Sequence, residues 1–181
     1  MLLLNFYRLV GASVLCSSPG VSVTYYNGKK AAITTDKNIT TAALLYPAEK
    51  GSHFSPCIDR IAKKGSTSGV VFGTGDTPVA YEDYCLAGEI IDYSSFNETH
   101  ISTVTAITGG VRVETTFTLT NITESEITIR EMGLVACTWQ MTLADYNQTL
   151  VERTVLNTPV TIAPGSIAQI TYAVEWIFPT G

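Results

Sequence analysis

Hydrophobic and polar positions alternate most regularly near the end of the chain. Leu150 to Phe178, LVERTVLNTPVTIAPGSIAQITYAVEWIF, reads as two long strands joined by a tight turn at Ala163-Pro164-Gly165-Ser166. Val155, Val160 and Ile162 precede the turn, and Ile170, Tyr172, Val174 and Trp176 follow it at a spacing of two. Successive strand side chains point to opposite faces, so this spacing puts four large apolar groups on one face. Pro-Gly supplies the fixed and the permissive backbone that a reversal needs. A two-stranded ribbon is marginal alone, so these faces call for a second sheet.

The same period recurs upstream. Ile101 to Ile107 and Val111 to Asn121 form a pair across Gly109-Gly110, with Val111, Val113, Thr115, Phe117 and Leu119 on one face and Arg112, Glu114, Thr116, Thr118 and Thr120 on the other. That is the pattern of an antiparallel strand with one wet face. Ile127, Ile129 and the apolar run Met132 to Trp139 predict another strand, as do Val70-Val71-Phe72 and Leu86 to Tyr93, while Tyr81 to Tyr84 fits one helical turn. Ser94 to His100, Asn121 to Glu126 and Ala144 to Thr149 read as loops that would cluster at the ends of the domain. Short strands separated by turn signals predict an all-β chain with an antiparallel β-sandwich, jelly-roll or Ig-like, over residues 70–181.

Residues 1–69 read as an N-terminal arm and hairpin region. Leu2, Leu3, Phe6, Leu9, Val10 and Ser13 share a helical face, ended by Ser17-Ser18-Pro19-Gly20. Val21 to Thr35 predicts a hairpin about Asn27-Gly28. The aperiodic stretch from Ala48 to Ser68 reads as a long loop linking the two regions. An apolar arm must be covered, either by the core or by a neighbouring subunit. Leu3, Phe6, Tyr7, Leu9 and Val10 are therefore the candidate assembly contacts.

Composition narrows the function. Charged residues are only 15% of the chain and the formal charge is −5, which argues against a phosphate-backbone binder and leaves a surface suited to packing against partners. The opening MLLLNFYRLVGASVLC lacks a basic start and is broken by Asn5 and Arg8, so it reads as mature protein; no run of the length a membrane span needs is present. Cys16, Cys57, Cys85 and Cys137 form no close pair, and buried free thiols are the expectation over two disulfides.

Candidate chemistry is sparse. Gly73-Thr74-Gly75-Asp76-Thr77-Pro78 follows a strand as a phosphate loop would, but it lacks the third glycine and the Gly-Lys-Ser/Thr, and Pro78 removes the helix. It reads as a structural turn. His53 and Cys57 are four apart with no second pair to complete a zinc site, and neither a nucleophile elbow nor an HExxH is present. The expectation is no enzyme, no cofactor and no metal. Asn38, Asn97, Asn121 and Asn147 head Asn-x-Thr sequons, which supports a competing reading as a secreted or cell-surface adhesion domain with disulfides and N-glycans.

Three segments, in order and spacing, carry a resemblance. They are Val70-Val71-Phe72-Gly73-Thr74-Gly75-Asp76-Thr77-Pro78 with Asp83-Tyr84 and Leu86, then Glu131-Met132-Gly133-Leu134, then Leu150-Val151-Glu152-Arg153-Thr154-Val155 with Pro159-Val160-Thr161 and Pro164-Gly165. Together they resemble small β-rich structural proteins of the virions of tailed bacteriophages, over about residues 70–178. The resemblance implies a non-enzymatic accessory head, neck or tail protein with a sandwich fold. It would be assembled in the bacterial cytoplasm as a homo-oligomer that contacts other virion proteins, without nucleic acid or membrane as partner. A reducing cytoplasm agrees with free cysteines.

Overall fold

The computed structural model of the protein describes residues 21–24, 26, 28, 30–33, 55, 56, 58, 60–63, 67–140 and 145–177. Its strands are β1 (Val21–Thr24), β2 (Lys30–Ile33), β3 (Ser55–Pro56), β4 (Gly69–Gly73), β5 (Phe96–Ile107), β6 (Gly110–Asn121), β7 (Ile127–Gln140), β8 (Asp145–Ile162) and β9 (Ile167–Ile177). All pairings between these strands are antiparallel, and they form two sheets packed together plus the β1–β2 hairpin. In the first sheet β7 is central. β8 runs along one edge of it, and β4 and β3 lie end to end along the other. The second sheet has the order β5-β6-β9.

The predicted alternation becomes the sandwich interior. Phe117 and Leu119 of β6, Ile170 and Tyr172 of β9 and Phe96 of β5 meet Val70, Phe72, Ile129, Met132, Leu134, Val151 and Ile162 of the first sheet. Phe72 sits at the centre, edge-on to Phe96 at 6.3 Å and to Phe117 at 6.0 Å between ring centroids. Such perpendicular pairs are favoured by the ring quadrupoles beyond their buried area. Tyr172 and Glu152 tie the sheets together with a polar contact, the hydroxyl donating to the carboxylate at 2.6 Å.

The closing segment is not a hairpin. The turn at Ala163 to Ser166 forms as expected, with Gly165 at φ +71° and Ser166 N–H donating to the Ala163 carbonyl. The strands it joins belong to different sheets, β8 on β7 and β9 on β6. Pro-Gly therefore turns the chain around a sandwich corner. Asn121 locks that corner from the end of β6. Its side-chain amide donates to the carbonyls of Ser125 and Ile162, and its backbone exchanges bonds with Gly165 and Ser166.

Two register shifts in the β7–β8 pair change which side chains face where. Between Ile129↔Val160 and Glu131↔Val155, β8 takes up extra residues that include Pro159, which has no N–H to give to a ladder. Between Leu134↔Glu152 and Val135↔Leu150, Val151 is the extra residue. A bulge of this kind re-aims its neighbours. Val151 and Glu152 both turn towards the second sheet, whereas Leu150 and Arg153 face the opposite side of the first.

Other expectations change at element boundaries. Ser94 to His100 is mostly strand, because β5 begins at Phe96 in register with Asn121. Ala144 to Thr149 likewise falls largely within β8. Leu86 to Tyr93 makes only an isolated bridge, Gly73↔Ile90, before a short 3-10 turn at Tyr93–Ser95. The hairpin at Val21–Ile33 forms, but its last pair is Thr24↔Lys30, so the connection is longer than Asn27-Gly28 alone. The expected helix at the start of the arm, with Leu3, Phe6, Tyr7, Leu9 and Val10, lies outside the described residues. Residues before position 70 also join the core: Ile61 pairs in parallel with Val70, and Ile61 and Ala62 are buried.

Phe117 is fully buried at the sheet-to-sheet contact. Phe117→Ala is expected to cost about 3–5 kcal/mol of unfolding free energy in a urea titration. Ile101→Ala, on the exposed edge strand, is expected to change it by about 0.5 kcal/mol or less.

Candidate functional site

The outer face of the first sheet is covered by the segment between β4 and the 3-10 turn, residues 74–90, which crosses it as a strap. Parts of all three segments that carry the resemblance meet here: Gly75, Thr77 and Asp83 of the first, Glu131 of the second and Arg153 of the third. Val71, Val135, Leu150 and Ala62 of the sheet side pack against Leu86, with Val79, Ile90 and Tyr26 at the rim. Gly75 and Gly88 bring the two arms of the strap into backbone contact. A Cβ on either glycine would collide with the backbone of the other, so no larger residue fits at this crossing.

Glu131 lies under that crossing with no exposed surface. Its Oε1 accepts from the N–H groups of Gly75 at 2.9 Å and Gly88 at 2.7 Å, and its Oε2 from Ala87 N–H at 3.1 Å and Arg153 Nε at 2.7 Å. Arg153, 1% exposed, spends its other donors on the strap. Nη1 reaches Asp83 Oδ2 at 2.7 Å and Nη2 reaches the Thr77 carbonyl at 2.8 Å. One carboxylate and one guanidinium thus pin both arms. Asp83 is fixed in turn by accepting from Ala80 N–H, and Tyr26 accepts from Leu86 N–H while its own N–H donates to the Gln148 carbonyl.

Electrostatics agree with a locked arrangement. Burial pushes the Glu131 carboxyl up, but the Arg153 guanidinium and the N–H groups of Gly88 and Ala87 more than reverse this and hold it below its ordinary value. Burial works against the Arg153 charge, and Glu131 and Asp83 outweigh it. Burial raises the Tyr26 hydroxyl and the Cys85 thiol, and Asp83 adds to the shift at Cys85. A thiol held up in this way is a poor nucleophile. The Glu131 carboxylate accepts four bonds, which is its full capacity. The group holds the strap and has no lone pair to offer a substrate.

The turn Gly73 to Pro78 is structural, as its sequence predicts, and the N–H of its Gly75 serves a carboxylate of the same chain. Asn121 of the third sequon is fully buried with its side chain committed to Ser125, Ile162 and Thr123, so it cannot carry a glycan. Cys85 is a free thiol. No cluster of metal-ligating side chains occurs among the described residues, and His53 lies outside them. His100 sits on exposed β5 with its Nδ1 2.8 Å from Glu98. Sequence reasoning missed the pairing of Glu131 with Arg153. Its one signal was an acid and a base placed in otherwise apolar strand runs, where an unpaired charge would be costly.

The exposed counterpart of this locked face is β5. From Thr99 to Ala106 both of its faces are exposed, and Ile101 and Val104 are 73% and 72% accessible. Val104 lies opposite Val113, and Val113 opposite Val174, in a cross-strand row that runs from Val174, packed against the core, out to the exposed edge. The second sheet thus ends in an exposed, nearly uncharged strand that carries two large apolar side chains, Ile101 and Val104, one on each face.

Glu131→Gln leaves the Arg153 charge without its main partner and is expected to cost about 3 kcal/mol or more. Replacing both partners with Met does not restore stability, because the N–H groups of Gly75, Ala87 and Gly88 lose their acceptor at about 1–3 kcal/mol each. Chemical denaturation and proteolysis within residues 74–90 check both outcomes. With the folded-state value of Glu131 depressed, its contribution is complete above the ordinary carboxylate range and is lost as pH falls through the lower folded value. The acid limb of the stability profile is therefore expected to flatten in Glu131→Gln.

No protein-family model matches the chain, and no curated protein or solved structure matches it at a significant level.

Proposed function

We propose that this chain is a non-enzymatic structural component of a tailed-phage virion, an accessory head, neck or tail protein that works through protein–protein contacts in a symmetric assembly. The observation that carries this reading is the margin of the second sheet, where a 12-residue strand is exposed on both faces over most of its length. Exposed apolar edges in a folded domain are interaction sites or liabilities. The phage attribution rests on the resemblance carried by the three segments. The sandwich, strap and corner form a fixed scaffold, and the polar groups at their centre are consumed in holding it. The competing reading, an adhesion domain with disulfides and glycans, loses support at Asn121 and Cys85.

Particle fractionation tests the reading. The protein is expected in purified virions at a fixed copy number by quantitative mass spectrometry, and its absence from them refutes the proposal. Deletion of residues 1–20 is expected to abolish incorporation while leaving the β-sheet signal in circular dichroism intact. Unfolding of the whole chain on that deletion would place the segment in the core instead.

A further inference from the structure

We propose that β5 is a homotypic pairing edge: a second copy of this chain lays its own β5 antiparallel against it, joining two three-stranded sheets into one of six strands. This deepens the reading of the chain as an assembly protein and rests on it. β5 pairs with β6 in unbroken register from Phe96↔Asn121 to Ile107↔Gly110, and no strand among the described residues pairs with its other side. Alternate N–H and C=O groups along that side therefore point outward.

Natural edges are usually blunted by lysine, proline, a bulge or brevity. This strand, FNETHISTVTAI, has none of these. Its only acid is Glu98, near one end, and from Thr99 to Ile107 the only ionisable side chain is His100. In a chain of net charge −5, this is a strip along which two copies can approach without opposing like charges.

The strand is also complementary to itself. A two-fold axis through Ser102 keeps each face on its own side, as an isologous contact requires. Ile101 then lies opposite Thr103 and Thr99 opposite Thr105 on the outer face, and every one of these residues is β-branched. On the inner face Val104 meets His100, and Glu98 meets Ala106 and not its own copy. Opposed β-branched residues are the pairs that stabilise antiparallel sheets. Closure about a two-fold uses up the edge in both copies, so the contact ends in a dimer and does not propagate as a filament.

Sedimentation equilibrium of the full chain from about 1 to 100 μM, the range that resolves micromolar association, is expected to show a dimer. Ile101→Lys and Val104→Lys each place two ammonium groups near the axis and are expected to raise the dissociation constant about tenfold or more. Both positions are exposed, so the fold is expected to survive either substitution. Should either variant misfold, Ser102→Cys decides, because it is expected to form an intermolecular disulfide on oxidation beyond that of the unsubstituted chain. A dimer that both lysine variants leave intact, with no added cross-link in Ser102→Cys, overturns the proposal. So does a monomer in which the β5 amides that point away from β6 resist hydrogen exchange, since another part of the same chain would then cover the edge. Incorporation separates this proposal from the virion reading. A chain present in particles, monomeric in solution and incorporated normally with both lysine substitutions refutes the pairing and spares the assembly role. A chain absent from particles that still dimerises through β5 does the reverse.

Discussion

The carboxylate of Glu131, surrounded by three backbone N–H groups and the Arg153 guanidinium, is the contact on which the first sheet depends. Burying two charges costs several kcal/mol each, and their mutual attraction alone seldom recovers it. Here the pair is offset differently. Each charge satisfies backbone groups of the strap, and the strap in turn shields Val71, Val135 and Leu150 from water. Irregular backbone lying on a sheet leaves buried polar groups that must find partners. The ion pair supplies those partners from the sheet beneath. An apolar pair would pack well but leave the strap's amides unsatisfied, which is why the polar solution wins at this position.

The bulge at Val151 makes that solution possible. Strict alternation would send Leu150 and Glu152 to one face and Val151 and Arg153 to the other. The extra residue breaks the parity, placing Arg153 with Glu131 under the strap and Glu152 with Tyr172 between the sheets. One inserted residue therefore positions two polar contacts on opposite sides of the same sheet. The Tyr172 hydroxyl, raised by burial and by Glu152 beside it, stays protonated and remains the donor of its bond.

Much of this was legible in the sequence, because alternation reports burial directly. Val111 to Leu119, the strand after Ile127 and the turn at Ala163 to Ser166 all follow from local pattern. Partner choice does not. A turn between two alternating runs looks the same whether the runs pair with each other or part into two sheets, so the β8–β9 corner read as a ribbon. The start of β5 read as loop because Asn97 and Thr99 are polar on an exposed edge, where no core demands otherwise. Glu131 and Arg153 were visible only as residues within motifs. Their meeting depends on the bulge at Val151, and a bulge leaves no mark in the hydrophobic period.

The two sheets divide the work of the domain. The first is covered on both faces, by the second sheet and by the strap, and the strap's two glycines admit no looser packing. The second is covered on one face and only along part of its length. Ordering a mobile strand on binding would consume much of what pairing returns, whereas an edge already held straight avoids that cost. β5 is held by full-length pairing to β6, and β6 is anchored through Phe117 and Leu119 to the aromatic centre around Phe72. The stiffness of the buried sheet thus reaches the exposed one through β6, and it presents there as a preorganised edge.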